Sequence, residues 1–164
     1  MKTIYLAGGC FWGAQRFFDQ FKAVAATEVG YANGRTDNPT YREVCAGSGH
    51  AETVRIEYDE TKLPTEKLLG YYFMMIDPTA VNKQGEDEGE QYRTGIYYED
   101  ESLLPAIEAA YAAEAAKHDE PLAVEVKPLE AFYTAEEYHQ KYLVKNPTGY
   151  CHVPTWLFSI EKGE

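Results

Sequence analysis

The sequence predicts an α+β fold: a ferredoxin-like split βαββαβ core, an additional helix-strand-helix, and a long irregular C-terminal tail. Three observations carry that reading. Segments with two-residue apolar alternation and segments with helical apolar spacing follow one another in the order βαββαβ. The 164 residues and 18.6 kDa suit a single domain, and no polar linker divides them. A content of 45% hydrophobic and 26% charged residues is that of a globular chain rather than a disordered or membrane-spanning one.

Taken in order, residues 3–7 read as the first strand, because the apolar run stops at Gly8-Gly9, too soon for a signal-peptide core. Beyond the glycines, Ala14, Phe17, Phe18 and Phe21 recur at helical spacing, which puts Cys10 where a strand turns into a helix N-terminus. Residues 24–31 form a second strand ending at the turn Ala32-Asn33-Gly34, and a loop rich in Gly, Asn and Pro runs on to Gly49. Residues 52–58 alternate, with Val54, Ile56 and Tyr58 on one face. Glu52 shares that face, so its carboxyl is expected to point inward.

Thr65 is expected to cap a helix reaching Met75, with a buried stripe of Leu68, Leu69, Tyr72, Phe73 and Ile76. Asp77-Pro78 ends it. Residues 81–91 read as an acidic loop and 93–98 as a strand. A helix over 103–117, a strand over 122–127 and a helix opened by a Thr134/Glu137 capping box complete the body. Residues 146–164, with Pro147, Gly149 and Pro154, form the tail.

Charge excludes several functions. A net charge of −12 and a pI near 4.8 would be repelled by nucleic acid and by anionic membranes. No stretch approaches the ~18 apolar residues of a membrane span, so a cytoplasmic location is expected. With no heptad pattern or hydrophobic tail, a monomer is the simplest expectation. Cys10, Cys45 and Cys151 are too few for a secreted disulfide framework and fit no common zinc spacing.

The chemistry concentrates in Gly8-Gly9-Cys10-Phe11-Trp12-Gly13. A helix N-terminus favours thiolate over thiol, which makes Cys10 a candidate nucleophile, and Phe11 and Trp12 could wall an apolar pocket over it. A buried inert cysteine is equally consistent with the turn, whereas a phosphate loop is not, since Ala14-Gln15 stands where Lys-Ser or Lys-Thr is required. Glu52, in Gly49-His50-Ala51-Glu52, is a candidate acid if burial keeps it protonated; the competing reading pairs it with Arg42 or Arg55. Tyr31 and Tyr92 are candidate hydroxyl donors or satisfied core tyrosines. Cys151, on the tail, reads as a second reactive thiol or a bystander, and Cys45 as a small buried filler. A peroxidase, a Cys–His hydrolase and a peptide-binding module using the aromatic turn all remain open from these residues alone.

These segments together resemble the A-class methionine sulfoxide reductases over nearly the whole chain. Gly9-Cys10-Phe11-Trp12-Gly13 is similar to the active-site signature of that family. Gly30-Tyr31 with Gly34, Asn38-Pro39-Thr40-Tyr41-Arg42-Glu43-Val44-Cys45 and Gly49-His50-Ala51-Glu52 resemble its central block. Asp87, Gln91-Tyr92-Arg93, Tyr138-His139-Gln140, Asn146-Pro147 and Gly149-Tyr150-Cys151 follow in the family's order.

The resemblance implies reduction of protein-bound and free methionine-S-sulfoxide, a repair of oxidative damage. Cys10 would attack the sulfoxide sulfur while Glu52, Tyr31 and Tyr92 hold and protonate the oxygen, and Phe11 and Trp12 would hold the substrate methyl group. Asp87 and His139 would lie near the substrate. The Cys10 sulfenic acid would condense with Cys151 to a disulfide reduced by thioredoxin, with no metal or organic cofactor. Ile76 and Glu88, where relatives often carry histidine, and Asn33, where they often carry glycine, depart from the family pattern at the pocket rim.

Overall fold

A computed structural model describes residues 1–149, 151 and 153–160. Tyr150 and His152, within the Cys151 motif, and the end of the tail lie outside the described residues. The fold is mixed α+β. Strand β1 (Lys2–Ala7) leads to helix α1 (Phe11–Asp19), β2 (Val24–Ala32), the short α2 (Tyr41–Cys45), β3 (Ala51–Tyr58) and α3 (Thr65–Met75). A two-residue hairpin, β4 (Lys83–Gln84) and β5 (Asp87–Glu88), and a 3-10 turn (Glu90–Tyr92) precede β6 (Gly95–Tyr98). Then come α4 (Leu104–Ala115), β7 (Glu125–Pro128), β8 (Phe132–Thr134), a 3-10 turn (Glu137–His139), α5 (Tyr142–Lys145) and a last 3-10 turn (Thr155–Ser159).

Six strands form one sheet in the order β7-β6-β1-β3-β2-β8. β1 is antiparallel to β3 and β6, β2 is antiparallel to β3 and β8, and β7 runs parallel to β6. Alternation along β1 separates two layers. Ile4 and Leu6 join Phe17, Phe18, Val54, Ile56, Leu68, Leu69 and Ile107 in the main core under the helices, while Tyr5 and Ala7 face the other way with Ala32, Ala51 and Tyr97. Burying each large apolar side chain of the main core contributes roughly 1.5–3 kcal/mol before entropy is counted. The helical stripe of α1 and the strand face of β3 are buried as their spacing predicts.

Several elements differ from expectation for local reasons. The predicted loop after Asn33 contains α2, because Thr40 and Glu43 form a reciprocal capping box: Glu43 N–H donates to the Thr40 hydroxyl and the Glu43 carboxylate accepts from Thr40 N–H. The box expected at Thr134/Glu137 does not form. Thr134 ends β8, where its hydroxyl donates to Glu28, and Glu137 opens only a 3-10 turn. The final helix-strand-helix is therefore helix, two strands and a four-residue helix. Thr65 is not the cap of α3; its hydroxyl bonds to Glu60 and Tyr58, and Pro64 occupies the cap position. The predicted strand over 122–127 moves to Glu125–Pro128, where β6 supplies partners. No helix of the described residues is long and apolar enough to cross a membrane.

Candidate active site

The site is built where β1, β2, β3 and β6 end or begin on one edge of the sheet. Between β1 and α1, Gly9 takes φ +73°, a left-handed value that glycine adopts without cost, and its N–H donates to Tyr92 O at 3.2 Å. A Cβ on Gly8 would run into Ile76. Behind the turn, the buried Tyr72 hydroxyl donates to Ala7 O at 2.5 Å and accepts from Gly95 N–H at 3.1 Å, tying β1 to β6. The glycine pair and this tyrosine fix Cys10 as the N-cap of α1.

Cys10 is buried, with 5% of its surface exposed. Burial pushes its thiol well above the usual range, the Glu52 and Asp87 carboxyls push it further, and the Trp12 N–H directed at the sulfur only partly offsets them. This corrects the sequence expectation of a resting thiolate. Loss of solvation outweighs the helix N-terminus, so Cys10 rests as a neutral thiol at pH 7.

Glu52 lies across from Tyr31 in the β2–β3 register, so both side chains share a face. It is 1% exposed, and its Oε1 accepts the Phe11 N–H at 3.2 Å. Its Oε2 is buried with no hydrogen-bond partner among the described residues. Burial pushes the carboxyl up to about 8 against the bond from Phe11, with Asp87 adding to the rise. The alternative pairing with arginine does not occur: Arg55 pairs with Glu57 at 2.8 Å, and Glu52 makes no ion pair among the described residues.

Tyr31 sits beside Glu52, and its hydroxyl donates to Glu136 Oε1 at 2.7 Å, which fits the reading of a satisfied core tyrosine. Tyr92 lies on the 3-10 turn after β5, and burial with the charges of Glu52, Asp87 and Cys10 raises its hydroxyl. Asp87 accepts the Cys10 backbone N–H, which fixes the turn rather than the thiol. Phe11 is buried against Tyr31, with ring centroids 5.8 Å apart. Trp12 stacks on Tyr142 at 3.8 Å and donates its indole N–H to His139 Nδ1 at 2.9 Å. His139 Nδ1 therefore carries no proton, and burial lowers the basicity of the ring.

Cys151 is half-buried; its sulfur accepts Val153 N–H at 3.3 Å, and burial raises the thiol. The thiols of Cys10 and Cys151 lie within electrostatic reach of each other. Cys45 is not a buried filler. It is exposed at the end of α2, where the last turn of a five-residue helix faces solvent, and it accepts the Gln91 amide at 3.4 Å. Among the described residues no group of three or more His, Cys, Asp or Glu side chains is placed to hold a metal ion. An apolar groove of about 360 Å³ beside Ile107 and Val124 and a polar cleft of about 520 Å³ beside Arg35 and Arg93 lie apart from the Cys10 turn.

Sequence reasoning missed three residues of the site. Tyr41 packs its ring 4.4 Å from His139, and burial raises its hydroxyl well above the usual range. Tyr142 stacks on Trp12, and Glu136 ties Tyr31 to the Tyr41 backbone. The capping box that creates α2 was the available signal for Tyr41; the other two are long-range contacts with no local signature.

A family profile described as "Peptide methionine sulfoxide reductase" matches residues 2–161. The chain is 59% identical over 162 residues to the peptide methionine sulfoxide reductase MsrA of Lachnoclostridium phytofermentans, covering 98% of each. Among solved structures it is similar to Mxr1 from Saccharomyces cerevisiae in reduced form, with TM-score 0.87 and 36% identity over 94% of this chain and 90% of that one. It also shares the fold of Mxr1 in complex with Trx2, with TM-score 0.61 and 22% identity over 86% of this chain and 84% of the other.

Proposed function

The chain belongs to the peptide methionine sulfoxide reductase family, oxidoreductases that reduce methionine sulfoxide, and from that premise we propose a specific course for the reaction. The substrate is the S epimer of methionine sulfoxide, free or within an oxidised protein. One observation carries the reading: the buried Oε2 of Glu52, on a carboxyl that stays protonated to about pH 8, has no hydrogen-bond partner among the described residues and so is available to a substrate oxygen.

The proton ledger explains why two neutral groups suffice. Glu52 passes its proton to the sulfoxide oxygen, which makes the sulfur electrophilic. The carboxylate left behind then takes the proton of the Cys10 thiol as the sulfur attacks, forming a bond between the Cys10 and substrate sulfurs. Glu52 gives that proton to the hydroxyl on the substrate sulfur, the S–O bond breaks and water leaves. A water then attacks the Cys10 sulfur, the sulfur–sulfur bond breaks to release the sulfide, and Glu52 takes back the proton that water gives up. Glu52 ends as it began, and the net change is one thiol plus one sulfoxide giving one sulfenic acid plus one sulfide. The Cys10 sulfur loses two electrons and the substrate sulfur gains them. Phe11 and Trp12 hold the methyl group, Tyr31 and Tyr92 surround the oxygen, and Asp87 and His139 border the substrate.

Cys151 then attacks the sulfenic sulfur, expelling water and forming the Cys10–Cys151 disulfide. Thioredoxin exchanges its dithiol for that disulfide, in keeping with the Mxr1 complex with Trx2. We infer that residues 1–164 act as one catalytic domain whose tail, residues 146–164, carries the resolving cysteine. We also infer a cytoplasmic monomer needing neither metal nor organic cofactor. The four inner strands, β6-β1-β3-β2, with helices α1 and α3 as crossovers, we read as a ferredoxin-like split core.

The deciding experiment follows methionine formation from separated S and R epimers with dithiothreitol. The S epimer is consumed with one dithiol oxidised per methionine, the R epimer is not, and Cys10→Ser gives no methionine. Turnover in Cys10→Ser, or equal use of both epimers, overturns the reading.

A further inference from the structure

Three segments that are remote in sequence meet on one carboxylate. Glu136 Oε1 accepts the Tyr31 hydroxyl from β2 at 2.7 Å, and Glu136 Oε2 accepts the Tyr41 N–H at the start of α2 at 2.9 Å. Glu136 itself immediately precedes the turn that carries His139. We propose that Glu136 is a positioning residue for the reductase reaction: it holds the proton of Tyr31 outward, so that the Tyr31 oxygen faces the sulfoxide site as an acceptor, and it locks Tyr41 against His139.

The argument begins with the hydroxyl. A phenol carries one proton and accepts through its remaining lone pairs. While that proton is given to Glu136, Tyr31 can offer only lone pairs to whatever lies on its other side. Glu52, the register partner of Tyr31 across β2 and β3, shares its face of the sheet and lies near enough to act on the hydroxyl electrostatically. An acceptor is what the chemistry needs there once Glu52 has protonated the sulfoxide oxygen, because the new S–OH group requires a partner in a buried pocket. Glu136 remains charged to accept both bonds; burial alone would raise it, but the Tyr41 N–H and the Tyr31 hydroxyl outweigh that effect. Bonds to a charged acceptor are short and strong, so the orientation of Tyr31 is fixed before substrate enters.

The second bond has a separate consequence. Tyr41 is the first residue of α2, and its ring lies 4.4 Å from His139, which in turn orients the Trp12 indole. Glu136 thus joins the oxygen side of the pocket to the aromatic wall on the methyl side.

The proposal rests on the sulfoxide reading of Cys10 and Glu52, and its test separates the two. Single-turnover methionine formation by reduced enzyme, without added reductant, is measured for wild type, Glu136→Ala, Tyr31→Phe and the double variant, with far-UV circular dichroism and thermal melts alongside. Glu136→Ala is expected to slow methionine formation about tenfold in the parent and less than about twofold in the Tyr31→Phe background, as for a bond to a charged group acting through that hydroxyl. Glu136→Gln, of the same shape and with one acceptor oxygen, recovers part of the loss and serves in the same cycle if the alanine variant does not fold. Equal slowing in both backgrounds, or no slowing in the parent, overturns the proposal alone. Failure of Tyr31→Phe to slow the reaction overturns the part given to Tyr31 as well, whereas methionine formation by Cys10→Ser overturns the underlying reading.

Discussion

The two thiols of this chain sit in regions built on opposite principles. Cys10 stands at the end of a strand whose six residues are each paired to β3, from Lys2 with Tyr58 to Ala7 with Thr53, and the turn before it is pinned by Tyr72 and by the Gly9–Tyr92 bond. Cys151 stands on irregular chain, its sulfur bonded only to the backbone of Val153 among the described contacts. Anchors lie on either side: Tyr142, stacked on Trp12, and the buried Leu143 before it, and the buried Val153 and Leu157 after it, the last bonded to Gln20. Ladder hydrogen bonds hold the nucleophile to the fraction of an ångström that proton transfer requires. A strap with spaced anchors leaves the second thiol able to approach, which a disulfide with its narrow S–S geometry requires.

The sharpest way to break the comparison is to remove the strap thiol. Cys151→Ser is expected to form one equivalent of methionine at a rate within about twofold of wild type and then to stall with thioredoxin as reductant, a loss of roughly 10²-fold or more in steady-state turnover. Rapid quench with methionine quantitation separates the two phases. Persistent thioredoxin-driven turnover would show that the strap is not the route.

Glu52→Gln attacks the rigid region. It keeps the shape and the acceptor for Phe11 N–H but cannot supply a proton, so single-turnover methionine formation is expected to fall by about 10²-fold or more, within the range of lost general acid catalysis. The wild-type rate should hold through neutral pH and decline above about 8, where Glu52 ionises, and the variant should lack that decline. A wild-type profile flat past pH 9 would show that another group donates.

The same carboxyl links pH to stability. Its folded value, about 8, lies above that of an unfolded glutamate, near 4.5, so between these values the folded state binds the extra proton. Stability therefore falls as pH rises through that window, by roughly 1.4 kcal/mol for each unit of displacement at most. Urea denaturation at pH 5 and pH 8.5 should show Glu52→Gln gaining on wild type at the higher pH. Comparing the two proteins removes the contribution of Asp87, whose carboxyl is also raised by burial.

What the sequence made legible follows the same division. The β1–α1 turn and the inward face of β3 were readable because Cys10, Phe17 and Phe18, and Glu52, Val54 and Ile56, obey local periods. The state of Cys10 was not: a helix N-terminus is a local feature, but the burial that outweighs it, and the Glu52 and Asp87 carboxyls that add to it, come from segments remote in sequence. Tyr31 shows the same limit. Its place on β2 was evident, whereas the direction of its proton depends on Glu136, which only the folded chain brings near. The failed box at Thr134 is a converse case, since Glu28 of the neighbouring strand competes successfully for the hydroxyl.

The smallest expected effect lies at the far anchor of the strap. Gln20, just past α1, donates its side-chain amide to Leu157 O at 2.7 Å and to Phe17 O at 2.8 Å. Gln20→Ala removes both bonds and should cost about 1 kcal/mol of stability, visible as a lowered melting temperature. Methionine formation in a single turnover should stay within about twofold, because the β1–β3 ladder does not depend on this contact. If Cys151 reaches Cys10 by lifting the strap from α1, weakening the anchor by that amount speeds disulfide closure up to about fivefold, measured as loss of free thiol after one turnover. An unchanged closure rate in a destabilised variant would show that Cys151 reaches Cys10 with Leu157 still seated.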